Sequence, residues 1–223
     1  MIWTPEWKQE QLEALEDEWI NCQGCELHEE RTNIVFGEGN PDADIMFIGE
    51  APGEAEDEEG RPFVGRSGEY LQDMFDAMKI LREDIYITNI IMCRPPDNRD
   101  PRKDEKLACF ERLRKQIYIV DPMLLILLGR QAMQMLIGTR HKSIESAMGK
   151  VLEAKIEGEH FHLTYPAMVV YHPAFMLRND IIDPDTKKWQ VGGYSQKTFM
   201  AIEDGLRMVR KTANHYERVQ RRG

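Results

Sequence analysis

The chain has 223 residues, 42% of them hydrophobic and 30% charged, which is enough apolar material for one large domain and argues against a disordered chain. The formal net charge of −10 argues against a protein that coats nucleic acid indiscriminately, because that binding is driven by phosphate neutralisation, but it leaves room for a local basic groove. No stretch approaches the ~18 apolar residues of a membrane span. The acidic start MIWTPEWKQEQLEALEDEW is no signal peptide, so a reducing, cytoplasmic protein without membrane contact is expected.

Thr4 and Pro5 form an N-cap followed by proline at the first helical position, and Leu12, Leu15 and Trp19 recur at helical spacing. An opening helix therefore leads into Cys22 and Cys25. After a loop rich in Gly, Asn and Asp, four short apolar runs follow: Ala43 to Gly49, Ile85 to Ile91, Met123 to Gly129 and Ala167 to Tyr171. Helix-like stretches lie between them, notably Gly68 to Leu81 and Pro101 to Val120, and Phe199, Ile202, Leu206 and Val209 predict a final helix. Continuous apolar runs alternating with helices predict an α/β fold of three layers, αβα, around a central four-stranded, mainly parallel sheet. With no linker or repeat in view, residues 1–223 are expected to form a single domain with a basic C-terminal helix or tail.

The segments that follow the predicted strands carry the chemistry. ADIMFIG runs into GEAPGEAED, DIYITNII contains Asn89 and runs into MCRPPDNRDP, and AMVVYHP delivers His172 into HPAFMLR. In open α/β sheets the ligand crevice lies outside the carboxyl ends of the strands, so these loops should converge. A carboxylate, a carboxamide and a histidine would then share one pocket. Taken singly, Glu50 reads as well as a surface carboxylate, Asn89 as a strand-end cap and His172 as a satisfied core imidazole. Phe63, in the loop RPFVGRSG, could serve as a stacking platform for a base.

Four cysteines complete the pattern. Cys22 and Cys25 form a C-x-x-C pair, while Cys93 and Cys109 come from separate downstream segments, as a four-thiolate metal centre requires. A structural zinc would more often show two C-x-x-C knuckles, so an iron-sulfur centre is favoured over zinc, over disulfides and over four unconnected thiols.

CQGC with GEAPGEAEDEEGRPFVGRSG, then YITNIIMCRPPDNRDP, Cys109 and HPAFMLR, in that order, resemble the iron-sulfur uracil-DNA glycosylases usually called family four. The likeness runs from about Cys22 to Arg178. It implies a 4Fe-4S cluster on Cys22, Cys25, Cys93 and Cys109, and hydrolytic release of uracil from uracil-containing DNA to leave an abasic site. By resemblance, Phe63 stacks on an extruded uracil, Asn89 reads its N3–H and O4, and Glu56 crowds C5 against a thymine methyl. His172 donates to O2, assisted by backbone N–H groups of the Glu50, Ala51, Gly53 loop, and Glu50 positions water or stabilises the cationic sugar. Arg94, Arg99 and Arg102 are expected on phosphate, and Arg178 in the minor groove beside a Phe175, Met176, Leu177 wedge.

Two departures stand out. Ala147, Met148 and Gly149 occupy a place where the family commonly has Arg-Gly, and CRPPDNRDP lacks the histidine-bearing insertion of a branch that traps its product, so turnover is expected. A monomer is expected. The rival function is a non-catalytic glycosylase-like DNA-binding module or polymerase-associated subunit, and a third is a zinc-stabilised enzyme acting on free nucleotides.

Overall fold

The computed structural model describes residues 3–157, 162–180 and 193–220, with side chains to residue 213. In chain order the elements are α1 (Pro5–Trp19), β1 (Glu38–Gly39), β2 (Ile45–Gly49), α2 (Glu54–Glu59), α3 (Arg66–Met78), β3 (Tyr86–Asn89), α4 (Lys103–Val120), β4 (Leu124–Leu128), α5 (Arg130–Leu136), α6 (Ile144–Ala147), β5 (Leu152–Glu157), β6 (His162–Val170), α7 (Pro173–Asn179) and α8 (Tyr194–Gln220). The sheet order is β1-β3-β2-β4-β6-β5. The central strands β3, β2, β4 and β6 run parallel, and both edge strands are antiparallel.

The expected architecture holds, with a correction to its strand count, which is six rather than four. β1 is two residues long and sits inside the glycine-rich loop, paired with Tyr86 and Ile87. β5, Leu152–Glu157, alternates buried and exposed positions and pairs along the first two thirds of β6, which therefore begins well before Ala167. A search for continuous apolar runs passes over such half-solvated edges.

Side chains alternate across the sheet as strand geometry requires. Met46 and Ile48 face a core shared with Leu12, Leu113, Ile117 and Met133, which brings α1, α4 and α5 to that side. Phe47 faces Leu71, Phe75, Met176 and Ile202, which brings α3, α7 and α8 to the other. The Thr4 hydroxyl accepts from the Trp7 N–H at 3.2 Å, so the predicted cap starts α1. The final helix contains the expected periodic positions. Between Asp180 and Tyr194, a stretch outside the sequence motifs, residues 181–192 lie outside the described residues, as do the side chains of the basic tail beyond 213. Asp180 itself closes that stretch, accepting from the backbone N–H of Tyr194 and Ser195.

Candidate active site at the carboxyl ends of the strands

The four central strands all end at one cavity of about 600 Å³. The chain after β2 lines it with Glu50, Ala51, Pro52 and Gly53, β3 with Asn89, the turn after β4 with Gly129, Arg130 and Gln131, and the segment after β6 with Tyr171 and His172. Glu56, Phe63, Arg99 and Arg178 also reach it. The crossover geometry of a parallel sheet thus gathers residues that are far apart in sequence.

Asn89 is 2% exposed, and its Oδ1 has no hydrogen-bond partner among the described residues. A buried carbonyl oxygen left unpaired is costly, and such an atom facing a cavity is an acceptor awaiting a donor. Gly49, its register partner on β2, makes the arrangement possible. A Cβ there would stand 2.3 Å from Asn89 Oδ1 and 2.5 Å from Phe63 Cζ. Phe63 has a left-handed backbone (φ 54°), rare for a bulky side chain, and is held there by Arg82, which donates to the carbonyls of Phe63 and Pro62. Its ring centroid lies 6.0 Å from that of His172.

His172 caps α7. Its Nδ1 accepts the Ala174 N–H at 3.2 Å, so the neutral ring carries its proton on Nε2. Burial, reinforced by Arg178, pushes its pKa down to about 4. The imidazole is therefore an uncharged donor at neutral pH. Glu50 is shifted the other way: burial, then Asp100, lift its carboxyl to about 7, against the pull of Lys106 and Arg130. Asp100 accepts from Gln131 Nε2 at 2.7 Å, and Lys106 donates to Gln131 Oε1 at 2.9 Å.

Glu56 is buried and accepts from three backbone N–H groups, those of Gly53 (3.0 Å), Val64 (3.0 Å) and Gly65 (2.8 Å). Its carboxylate ties the loop after β2 to the loop that carries Phe63. The four arginines expected on DNA differ in their commitments. Arg99 makes a two-pronged pair with the buried Glu105, Arg102 pairs with Glu26, and Arg94 bonds Asn98 and approaches Glu54. Arg178 is exposed and makes no ion pair among the described residues.

The four cysteines are free thiols. Cys22 and Cys25 pack from the loop after α1 against the core that holds Cys93 and Cys109. Gly24 lies between that loop and α4: an added Cβ would meet Cys22 Sγ at 3.5 Å and Ala108 Cβ at 3.8 Å. Cys22 Sγ accepts the Gly24 N–H and Cys93 Sγ accepts from Arg31, each at 3.4 Å. Burial lifts the thiol of Cys25 and pushes that of Cys93 up to about 11; the charge of Cys109 acts on both in the same direction, as do Glu105 and Cys22 on Cys25 and Cys25 on Cys93. No group of three or more His, Cys, Asp or Glu side chains stands at metal-holding spacing among the described residues. In chemistry the donors are soft sulfurs from three segments packed against one core, with N–H groups aimed at two of them.

Asp100, Arg130, Gln131, Glu145 and Tyr171 line the cavity without having been expected there. Gly129-Arg130-Gln131 follows an apolar run just as the other site loops do, so the strand-end rule extends to it.

The Uracil DNA glycosylase superfamily model matches residues 36–191, well over half of the chain and every strand-end loop of the cavity. The chain belongs to the uracil-DNA glycosylase superfamily. It is similar to the Type-4 uracil-DNA glycosylase of Sulfurisphaera tokodaii, 42% identical over 185 residues that cover 79% of this chain and 82% of that one. It is likewise similar to those of Saccharolobus solfataricus (43% over 185 residues, 79% and 84%) and Thermotoga maritima (39% over 172 residues, 77% and 86%). Cys22 and Cys25 precede the region that matches the superfamily model, whereas Cys93 and Cys109 lie within it. The uracil-DNA glycosylase cavity is thus one unit in sequence matching and in space.

Proposed function

We propose that the chain is a DNA-repair glycosylase that hydrolyses the N-glycosidic bond of uracil in DNA, releasing free uracil and leaving an abasic site. The observation that carries this reading is the orphaned Oδ1 of Asn89, buried at the end of β3 beside Phe63 and in the same cavity as His172. Uracil offers a donor at N3 and an acceptor at O4, which the carboxamide oxygen and its N–H can satisfy together. Cytosine reverses both, and a pinned amide would leave its buried polar groups unpaired against it. The nucleotide must leave the helical stack to reach this cavity, and the Phe63 ring supplies a surface for the extruded base.

Cleavage develops negative charge on the departing uracil and positive charge on the sugar. A neutral His172 with its proton on Nε2 donates to O2 as that charge grows, and the backbone N–H of Ala51 supports it, whereas the Gly53 N–H expected to help is committed to Glu56. Glu50, ionised, orients water or stabilises the cationic sugar. Glu56 keeps the base-facing loops at fixed separation, and in this way holds the wall that a thymine C5 methyl would strike. Arg178, exposed at the cavity and without an ion pair among the described residues, is a cation available to meet DNA. Arg94 and Arg102 can exchange weak surface pairs for phosphate, whereas moving Arg99 would strand the buried Glu105, so Arg99 positions its loop.

Cys22, Cys25, Cys93 and Cys109 would hold a 4Fe-4S cluster. Hydrolysis moves no electrons, so the cluster would supply rigidity between the N-terminal hairpin, the segment after β3 and α4. The reading takes the whole chain as one glycosylase domain, monomeric and resident in a reducing cytoplasm. No helix among the described residues is long and apolar enough to cross a membrane.

Incubation with a uracil-containing oligonucleotide, then alkali to cut abasic sites, tests the reading. Wild type should cut, and Asn89→Ala or His172→Ala should lower the rate by ~10²–10³-fold, the usual effect of losing a donor to a developing oxyanion. A wild-type protein that binds the oligonucleotide but never cuts it would favour the non-catalytic module.

A further inference from the structure

Phe63 occupies a backbone conformation that a bulky side chain adopts under constraint (φ 54°), and the constraint comes from outside the cavity. Arg82, in the single turn Arg82–Asp84 that leads into β3, donates through Nη1 to the Phe63 carbonyl at 3.3 Å and through Nη2 to the Pro62 carbonyl. Its Nε donates at 2.6 Å to Oε1 of Glu38 on β1. Glu38 also accepts from Arg61, from Nε at 2.8 Å and from Nη2 at 3.2 Å. One carboxylate therefore grips both the residue before Pro62 and the arginine that holds Pro62 and Phe63.

The place of Glu38 is itself built. It stands between Gly37 and Gly39 in the FGEGN segment, which the cavity chemistry does not use. A Cβ on Gly39 would lie 2.0 Å from the Ile85 carbonyl oxygen, so glycine lets this two-residue strand lie against the chain entering β3, beside Arg82. On α3, a Cβ on Gly68 would come within 2.0 Å of the Phe63 carbonyl oxygen, so that helix closes on the same peptide. The Arg82 and Glu38 side chains are 21% and 24% exposed, against 57% for Arg61. An exposed ion pair contributes little, but a partly buried carboxylate that fixes a guanidinium whose other prongs end on two successive carbonyls also fixes those carbonyls.

We propose that Arg82, anchored by Glu38, is the positioning residue that holds the Phe63 ring where an extruded base stacks. The inference rests on the reading above, in which Phe63 is the stacking surface for uracil. Neither Arg82 nor Glu38 lines the cavity, so each acts through Phe63. The planar fork meets three acceptors at once, which a lysine, with its single point of charge, cannot reproduce.

The test uses the full chain with Arg82→Met, Arg82→Lys and Glu38→Gln, each made alone and together with Phe63→Ala. KM and kcat on a uracil-containing oligonucleotide and the unfolding midpoint in denaturant are measured for each. Arg82→Met should lower kcat/KM ~10²-fold, carried by kcat, because the ring is misplaced while the contacts to DNA phosphate remain. Arg82→Lys and Glu38→Gln, which each keep part of the clamp, should lose about 10-fold. In the Phe63→Ala background each substitution should cost less than about 2-fold, since a missing ring cannot be misplaced. A pair that merely stabilises the fold would lower the unfolding midpoint and leave kcat unchanged. Wild-type kcat in Arg82→Met, or the same loss with and without the ring, overturns the proposal. Should Arg82→Met fail to fold, Arg82→Lys and Glu38→Gln decide by the same two criteria. Failure of the underlying reading looks different: wild type would leave uracil in place, or Phe63→Ala would cut as fast as wild type.

Discussion

In the proposed mechanism Glu50 acts as an anion, and its pH dependence carries two opposite signs. Its carboxyl ordinarily loses its proton near 4.5 and in the folded protein near 7, because burial disfavours the anion. Between those values the folded chain binds more protons than the unfolded one, so the stability associated with Glu50 is present below 4.5 and lost as pH rises through 7. In the proposed mechanism activity needs the anion and should rise over the same interval. We therefore expect kcat/KM to fall tenfold per pH unit below about 6, with His172 adding nothing until about 4. Glu50→Gln should abolish that limb and most of the rate. At pH 8 it should melt ~2–4 °C higher than wild type, the shift that ~1 kcal/mol produces in a domain of this size; an unchanged melting temperature at pH 8 would mean that ionised Glu50 is not strained. At this scale much of the site was legible: Glu50 and His172 follow predicted strands and Asn89 lies within one. Arg112, which donates to the Asn89 carbonyl, was not singled out, although a charge at helical spacing from Cys109 and Gln116 on a buried face was available as a signal.

At the scale of elements, the ends of β2 and β3 set the distance between the two loops. Gly49 and Asn89 are register partners, and the absence of a Cβ on Gly49 leaves room for the carboxamide and the Phe63 ring. Gly49→Ala would force a methyl into 2.3 Å of Oδ1, so one of the two side chains must move. The expected result is a destabilisation of about 1–3 kcal/mol, typical of overpacking, read by denaturant unfolding. A drop of ~10²-fold in kcat/KM should accompany it. A variant as active as wild type would show that the Asn89 position is not critical. The parallel strands β2, β3, β4 and β6 were readable because burial on both faces leaves uninterrupted apolar runs. β5 was missed because its alternation is the other signature of a strand, and β1 because two residues carry no period at all.

For the whole molecule, the charge distribution decides how DNA is met. A chain of net charge −10 repels a polyanion at long range, so attraction must come from a few cations at the rim of the cavity. Arg178 is the best placed, being exposed and free of ion pairs among the described residues. Arg178→Ala should weaken binding to all sequences alike and reduce the slope of log affinity against log salt by about 1. An unchanged slope would remove Arg178 from the interface.

The sequence by itself determined the layer architecture, the cysteine set and the family, because hydrophobic period and motif order are local properties that survive without coordinates. Only the tertiary structure decided which partners each side chain has. Whether Asn89 Oδ1 is bonded or orphaned, which His172 nitrogen carries the proton, that Glu56 is spent on three backbone amides, and that Arg112 donates to the Asn89 carbonyl all depend on how the elements pack. Burial and hydrogen bonding are created when those elements pack, and no one-dimensional pattern contains them.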